Sequence, residues 1–373
     1  MTDTADRTEA FEELLAVTGD DAGAVIHSVA DNADAIFTWD YGKGERRQLD
    51  RLYEKAKTSQ WNATTDLDWS AEVDPQKVAI ELTARDHRAI FIQRLRDLPG
   101  SPVSGWTDAQ FDEFSRESFA WRLAQFMHGE QGALLCTAKI VETVPWIDAK
   151  YYAATQVVDE ARHVEVFSRY LNEKVGIEYP VNHHLQALLD DIIDDSRWDI
   201  TYLGMQIMVE GLALAAFGTM HHMTEEPLLK TLLRYVMSDE ARHVAFGVLS
   251  LQEVYAEMDA AEIRERQEFA FEAALRMRDR FLQQEVWERL GVDVKAMVAA
   301  LLAMPPEENL FQQMLFAKIV PNCKKLGLLD AGDGWLRQKF TEIGIIQFED
   351  GVSTDEEYGA LDEVARDRAA AVS

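Results

Sequence analysis

Cysteine is nearly absent from this chain of 373 residues, which contains only Cys136 and Cys323. Two cysteines exclude a disulfide framework, a CxxC redox motif and a cysteine-ligated iron–sulfur cluster. They also favour a reducing compartment, so we expect a cytoplasmic protein. Proline and glycine are scarce too, at nine and twenty residues, so few positions interrupt long helices.

Positive charge is in short supply, because 37 basic residues face 66 acidic residues and leave a net charge of −29. A field of this sign repels nucleic acid and anionic membrane surfaces, so we expect neither as a partner. The N-terminal residues lack the apolar core of a signal peptide. The most apolar stretch, 205–220, is too short to span a membrane and contains Glu210, so it predicts a buried helix.

Hydrophobic residues make up 47% of the chain and recur at helical spacing, without sustained alternation of period two. This pattern predicts an all-α protein with four long helices at about 107–143, 146–174, 182–222 and 226–257. Further helices are expected at 8–38, 46–58, 74–98 and 260–290, with shorter pieces to about 345. We therefore divide the chain into N-terminal helices that pack on the bundle (1–106), a four-helix bundle (107–257), C-terminal helices (258–348) and a loose acidic tail (349–373).

One six-residue segment, Asp-Glu-Ala-Arg-His-Val, occurs at 159–164 and again without change at 239–244. The same offset of 80 residues relates Glu130 to Glu210, so the chain contains two related helical hairpins. In an antiparallel helix pair, two residues equidistant from the turn lie at the same height. Each hairpin therefore places a single glutamate level with a Glu-x-x-His pair, whose two members share one helix face.

These polar residues lie among apolar neighbours and so occupy core positions. Four buried carboxylates without partners would cost many kcal/mol or would become protonated. Two divalent cations neutralise them, and two imidazoles complete the coordination. The predicted metal ligands are Glu130, Glu160, His163, Glu210, Glu240 and His243.

The residues beside the ligands predict a supporting hydrogen-bond network. A metal-bound histidine usually donates its other N–H to a carboxylate. Asp159 and Asp239 are the candidates, each reaching the histidine of the other hairpin. Arg162 and Arg242 would pair with these aspartates, although a solvated or helix-pairing role for the arginines is an open alternative.

The Glu, Glu-x-x-His, Glu, Glu-x-x-His pattern resembles the ferritin-like di-iron carboxylate superfamily. Its Asp-Glu-x-Arg-His form is most similar to the bacterial oxidase and oxygenase branches, over residues 121–250. The resemblance implies a ferritin-like bundle, two irons or an Mn/Fe pair, and reduction of O2 for attack on a small organic substrate in an adjacent apolar cavity. It also implies an electron donor, such as a reductase or a ferredoxin, and a homodimer. Residues one turn from the ligands would line the cavity, with core packing as the alternative: Phe126, Ala133, Phe167, Ala213, Leu214 and Phe217.

Several branches of the superfamily match the chain less well. Ferritins are shorter, rubrerythrins usually carry cysteine sites, and the ribonucleotide reductase small subunit usually has a radical tyrosine where this chain has Phe167. Hydrocarbon monooxygenases and acyl-carrier-protein desaturases often place a threonine where this chain has Ala213 and Leu214.

The p-aminobenzoate N-oxygenase family is similar in length and has a segment like the one from Asn62 to Trp69, but its third histidine corresponds to Val236 here. Trp61 and Trp69 in that segment would cap the bundle or gate a channel, or simply pack. Hydroxylation, N-oxygenation and desaturation all stay open. So does an iron-oxidising or metal-binding protein without an organic substrate.

Overall fold

The computed structural model describes residues 11, 14–15, 26–42, 46–82, 88–304 and 316–356, and these residues contain helices but no strands. The prediction of an all-α fold is therefore confirmed. In chain order the helices are α1 (Arg47–Thr58), α2 (Pro75–Leu82), α3 (Arg88–Asp97), α4 (Asp108–Thr143), α5 (Ile147–Tyr170), α6 (His183–Asp194), α7 (Trp198–Met223), α8 (Pro227–Tyr255), α9 (Ala260–Asp279), α10 (Gln284–Arg289), α11 (Val294–Leu302), α12 (Ile319–Lys325) and α13 (Trp335–Glu342).

Four of these helices, α4, α5, α7 and α8, form a four-helix bundle of two antiparallel hairpins. Thr107 begins α4 with a reciprocal cap, in which the Gln110 side chain accepts from the Thr107 N–H at 3.0 Å. The first hairpin turns at Pro145, directly after α4. In the second hairpin the Glu226 carboxylate caps α8 and Pro227 occupies its first turn. Both turns lie where the repeat predicts them.

The predicted helix at 182–222 is wrong in one respect, because the chain breaks at 195–197 into α6 and α7. The Asp195 carboxylate accepts from the backbone N–H of Arg197 at 2.8 Å and from its guanidinium at 2.7 Å. This local turn competes with helix continuation. The bundle helix α7 then contains a π-helical segment, Leu203–Val209, that ends directly before Glu210. Such π segments inside α-helices are frequent at functional sites.

The helix α7 is long and apolar enough to cross a membrane, with a mean hydropathy of 1.5 over its most apolar window. However, 89% of that window is buried within the protein. The segment is therefore a core helix of the bundle, in agreement with the expectation for 205–220.

Outside the bundle the sequence predictions are met in part. The helix expected at 46–58 is α1, whereas residues 26–38 of the helix expected at 8–38 have no regular secondary structure. Most of residues 8–25 lie outside the described residues. The helix expected at 74–98 is present as α2 and α3, and the residues between these two helices are not described.

At the C-terminal side, the helix expected at 260–290 is interrupted after α9 by the 3-10 turn Arg280–Leu282 and by Gln283, whose φ is 53°. The segment expected to be loose from 349 onward begins as packed structure. Ser353 and Thr354 are buried, and the backbone N–H of Thr354 donates to Asn322 Oδ1 at 3.0 Å. Residues 357–373 lie outside the described part of the chain, so the rest of that prediction stays open.

The helices outside the bundle place a connecting loop over one of its sides. The helix α1 packs on α5 and α8, and α2 packs on α4. The loop from 59 to 74 between them therefore lies over the side of the bundle where α5 and α8 meet. The helix α9 packs on α6 and on the π segment of α7, which puts the start of the 280–282 turn close to the bundle.

Candidate metal centre

The bundle brings all six predicted ligands together in its interior, and none of them is more than 4% exposed. Their donor atoms form two groups, each with all atoms within 4.8 Å of one another. Glu160 belongs to both groups. The first group is Glu130, Glu160, His163 and Glu240, and the second is Glu160, Glu210 and His243.

Two of the carboxylates lie between the two imidazoles. The Glu160 carboxylate is 3.4 Å from His163 Nδ1 and 3.0 Å from His243 Nδ1. The Glu240 carboxylate is 3.0 Å and 3.6 Å from the same two atoms. Glu130 lies 3.2 Å from His163 Nδ1. A pair of metal ions would be held by these four carboxylates and two imidazoles, with Glu160 close to both histidines.

The donor set itself shows that a pair of cations fits. Glu210 Oε2 and Glu240 Oε2 are buried and make no hydrogen bond. Buried carboxylate oxygens without a partner are costly unless they bind a proton or a cation. The four carboxylates and two imidazoles of these two groups balance two divalent ions in charge and supply the ligand types of a dinuclear site.

The pKa values of Glu130, Glu210 and His163 are raised, so these groups hold protons more tightly than usual when no metal is bound. Burial, and then the charge of Glu240, holds the pKa of Glu130 well above its usual range. Burial and the charge of Glu160 do the same for the pKa of Glu210. Burial lowers the pKa of His163, but the bonds to Asp239 and Glu130 outweigh it and leave that pKa raised. Metal ions would displace these protons.

The outer nitrogen of each imidazole contacts the aspartate of the other hairpin, as the sequence analysis expects. His163 Nε2 lies 3.3 Å from Asp239 Oδ2, and His243 Nε2 lies 3.3 Å from Asp159 Oδ2. With Nε2 donating to a carboxylate, the neutral imidazole keeps its lone pair on Nδ1, which faces the four glutamates.

The two arginines of the motif link the two aspartates into one network. Arg162 donates to Asp159 and lies 3.4 Å from Asp239. Arg242 donates to Asp239 at 2.5 Å and to Asp159 at 3.2 Å. Each guanidinium therefore spans both hairpins, and the pairing expected of these arginines is present in the structure.

Sequence reasoning missed Gln156, which lies one turn before Glu160 on the same face of α5. Its side-chain amide donates at 2.9 Å both to Glu160 and to Glu210. The amide thus links the Glu160 and Glu210 carboxylates across the two hairpins. The helical spacing from Glu160 was the available signal.

Sequence reasoning also missed the contacts made by the loop after α1. Trp61 Nε1 donates to Asp239 at 2.8 Å, and the Trp61 ring stacks on Tyr235 with centroids 5.0 Å apart. Gln60 donates to Asp159 at 3.3 Å. Trp69, in contrast, donates to the Ala63 carbonyl within its own loop. Trp61 thus covers the aspartate network, whereas Trp69 packs.

A narrow cavity of about 20 Å³, roughly the space of one water molecule, reaches the cluster between α4 and α7. Glu130, Glu210 and Glu240 form part of its wall. Of the six residues expected to line a cavity, Phe126, Ala133 and Ala213 do so, together with Gln125, Gly129, Val209 and Arg280. Phe167, Leu214 and Phe217 are not part of this wall. The Phe167 and Phe217 rings pack against each other, with centroids 5.5 Å apart.

No protein-family model and no curated protein matches this chain. Among solved structures, an R2-like ligand-binding oxidase mutant with an anaerobically reconstituted Mn/Fe cofactor is 20% identical, with a TM-score of 0.48 over 78% of this chain and 97% of that chain. Another mutant, with an aerobically reconstituted Mn/Fe cofactor, is 18% identical, with a TM-score of 0.45 over 74% and 98% of the two chains. These likenesses concern the helical fold alone.

Proposed function

We propose that this protein is an O2-activating di-metal oxidoreductase, a monooxygenase, N-oxygenase or desaturase-like enzyme, that acts on a small organic substrate. The observation that carries the proposal is the buried set of four carboxylates and two imidazoles, in which Glu210 Oε2 and Glu240 Oε2 make no hydrogen bond. The cavity between α4 and α7 has Glu130, Glu210 and Glu240 in its wall, and its volume of about 20 Å³ means that it would have to widen to admit a substrate.

The chain's own residues would do four things in such a reaction. The six ligands hold the metal pair, whose chemistry when bound is the reduction of O2. Asp159 and Asp239 orient the two imidazoles, and Gln156 holds two carboxylates apart. Apolar side chains in the cavity wall, such as Phe126 and Val209, exclude water from the reacting substrate.

We assign the metals as two irons, with Mn in place of one iron as the variant to be tested. Carboxylates with one imidazole per metal are ligands that suit both elements. The full proposal includes a cytoplasmic location and an electron donor, a reductase or a ferredoxin.

A homodimer belongs to the same proposal and is supported by an exposed aromatic surface. Phe37, Trp39 and Tyr41 are 76%, 75% and 60% exposed, and they lie in an irregular segment joined to α4 by the Ile36 N–H donating to the Glu142 carbonyl at 2.9 Å. Exposed apolar clusters of this kind mark association surfaces. Analytical ultracentrifugation of the wild type and of Trp39→Ser tests this, with a shift toward monomer expected in the variant and a wild-type monomer contradicting the dimer.

Steady-state O2 consumption tests the proposed enzymatic function. The Fe(II)-loaded protein, supplied with a chemical reductant, should consume O2 faster when a suitable small organic compound is added, and mass spectrometry should find that compound oxidised. Glu240→Ala, which removes one of the four carboxylates, should abolish this consumption.

O2 consumption tied only to added Fe(II), together with loading far above two irons per chain, would favour the alternative of an iron-oxidising or iron-storing protein. A protein that binds no redox-active metal would contradict both.

A further inference from the structure

The irregular segment 36–41 presents a row of aromatic rings to solvent, which we call the aromatic arm. Phe37, Trp39 and Tyr41 are 60% to 76% exposed and occupy every second position, as side chains on one side of an extended chain do. The Phe37 and Trp39 rings stack with their centroids 5.6 Å apart, so they lie on the same side. Rings this exposed form the kind of apolar patch that marks an association surface.

A groove of about 340 Å³ lies on the protein surface between α1 and α5, and we call it the tyrosine groove. The Tyr53 and Tyr151 rings in its wall stack with their centroids 5.6 Å apart, and Val158 beside them is 52% exposed. Lys57 is the one cation among the described wall residues, which include no acidic residue. The volume equals about ten water molecules, which is enough for a large aromatic side chain.

The arm and the groove lie near the same end of the first hairpin. The Ile36 N–H donates to the carbonyl of Glu142, three residues before Pro145, and Tyr151 follows Pro145 by six residues. Both patches are therefore within about 10 Å of the turn along the helix axes. The arm's rings are exposed, so its own groove does not hold them. A two-fold axis between two chains can pair such patches reciprocally.

The charges of the two patches are opposite in sign. Residues 46–57, which include Lys57, contain five basic residues against two acidic ones. Residues 34–41 contain Asp34 and Asp40 and no basic residue. Two chains that each carry a net charge of −29 repel each other, so their association needs local attraction of this kind. The charge pattern therefore favours a second copy of this chain as the occupant of the groove.

We propose that this protein forms a two-fold symmetric dimer in which the aromatic arm of each copy lies on the tyrosine groove of the other, with Trp39 inside the groove. The three rings of one arm would bury roughly 400 Å², and a groove would lose a similar area. Each chain would then bury roughly 800 Å², the size of a standard specific interface. This contact rests on the homodimer of the proposed function and specifies which surfaces form it.

The tyrosine groove also lies against the hydrogen-bond network behind the metal ligands. Gln60 in its wall donates to Asp159 at 3.3 Å and accepts from Arg162 at 2.5 Å. Asp159 in turn contacts His243 Nε2 at 3.3 Å. Gln60 is exposed in the single chain. Trp39 of a second copy would cover Gln60 and shield Asp159 from water, so each chain would complete the surroundings of the other chain's metal centre.

Sedimentation velocity of the full-length protein over a range of concentrations tests the groove. Val158→Asp places a charge in the groove and should raise the dissociation constant of the dimer at least about 30-fold, the loss expected at an aromatic anchor. Lys57→Glu should weaken the dimer most at low salt. Leu135→Asp is the matched control, because Leu135 is 55% exposed on the bundle helix α4 and lies outside the groove; its dimer should be unchanged.

Mixing two variants tests whether the contact is reciprocal. Trp39→Ser retains the groove and Val158→Asp retains the arm, so neither variant forms an intact contact with itself. Their mixture should form a heterodimer held by one intact contact, which sedimentation of one fluorescently labelled variant detects. A dimer held by Trp39 packing on Trp39 of the second copy predicts no such recovery. Circular dichroism melts at the wild-type temperature would show that both variants fold.

A dimer that survives Val158→Asp, or a mixture that stays monomeric, would overturn the arm–groove contact. In the first case the homodimer of the proposed function stands and is formed by other surfaces. A wild-type monomer would overturn both the contact and the homodimer. Failure of the proposed enzymatic function has a different signature, because the variants would then dissociate and recombine as described while no organic compound accelerates O2 consumption.

Discussion

Replacing Glu210 by glutamine should not destabilise the metal-free protein at pH 7, although Glu210 is 2% exposed and lies in the centre of the bundle. Donor atoms of Glu160, Glu210 and His243 lie within 4.8 Å of one another. Two carboxylate charges at this separation repel by about 3.5 kcal/mol at an effective dielectric constant of about 20. The protein avoids this repulsion by keeping the pKa of Glu210 raised through burial and the charge of Glu160.

That protonation has a cost of similar size. Keeping a carboxyl group protonated as the pH rises from its ordinary pKa of 4.5 to 7 costs up to about 3.4 kcal/mol, at 1.36 kcal/mol per pH unit. Glutamine is neutral already, and its Oε1 can still accept the bond that Gln156 donates to Glu210 at 2.9 Å. We therefore expect the free energy of unfolding of Glu210→Gln to equal that of the wild type or to exceed it by up to about 3 kcal/mol.

The pH dependence has a definite sign. The folded-state pKa of Glu210 is raised, so the penalty that it imposes is absent below about pH 4.5 and grows as the pH rises toward 7. The advantage of Glu210→Gln should grow over the same interval. In the presence of metal the order reverses, because the variant lacks a ligand and should bind the second ion weakly.

Urea unfolding of the EDTA-treated proteins, followed by circular dichroism at pH 5 and 7, measures the effect. Glu117→Gln is the matched control, because Glu117 is also buried but accepts from Tyr179 at 2.7 Å and pairs with Arg289 at 3.3 Å. That control should lose about 1–3 kcal/mol. If Glu210→Gln loses as much as the control at pH 7, the buried carboxylates do not repel one another in the metal-free protein.

Three other perturbations have defined outcomes. Asp239→Asn should lower the metal affinity about 10- to 100-fold in a chelator competition, because the carboxylate contacting His163 is lost; an unchanged affinity would contradict the orienting role. Gly247→Ala should lower the free energy of unfolding by about 1–3 kcal/mol, because its Cβ would lie 2.6 Å from a side-chain carbon; Gly218→Ala, with 3.6 Å of clearance, should cost nothing. Metal binding should release protons and become tighter as the pH rises. Burial lowers the pKa values of His163 and His243, but the neighbouring carboxylates raise them more, so metal must displace protons from both imidazoles. A metal affinity that does not change with pH would contradict this prediction.

The bundle and the meeting of the six polar residues could be predicted from the sequence because the information is local and repeated. A Glu-x-x-His pair shares a helix face by geometry, and an 80-residue repeat with Pro145 at the centre of one hairpin fixes which residues lie level. The crossing contacts of Asp159 and Asp239 follow from the same symmetry. Helical periodicity and hairpin geometry are enough to predict the bundle, the meeting of the six polar residues and the contacts of the two aspartates.

Other features depend on contacts between distant segments. Residues 26–38 could have formed a helix by composition, but Asn32 donates its side-chain amide to Asp194 at 2.7 Å, and such tertiary contacts override local propensity. Trp61 reaches Asp239 from 178 residues away. The position of Arg280 depends on how α9 packs against the bundle. No sequence pattern around these residues shows where they lie.

The break at Asp195 shows a third kind of limit. The apolar periodicity continues from α6 into α7, so a pattern search joins the two helices. A single aspartate that bonds the backbone and the guanidinium of Arg197 is enough to separate them. Competition between a helix and a local turn is decided by one or two hydrogen bonds, which periodicity does not measure.

The number of metal ions bound per chain tests the central claim most directly. Anaerobic equilibrium dialysis against Fe(II), followed by elemental analysis, should give two irons per wild-type chain, and fewer than two for Glu210→Gln. Both irons should be lost when Glu160 and Glu240 are replaced together by alanine in a protein that still folds. One iron per chain, none, or two that survive the double replacement would contradict the dinuclear centre assigned to these six residues.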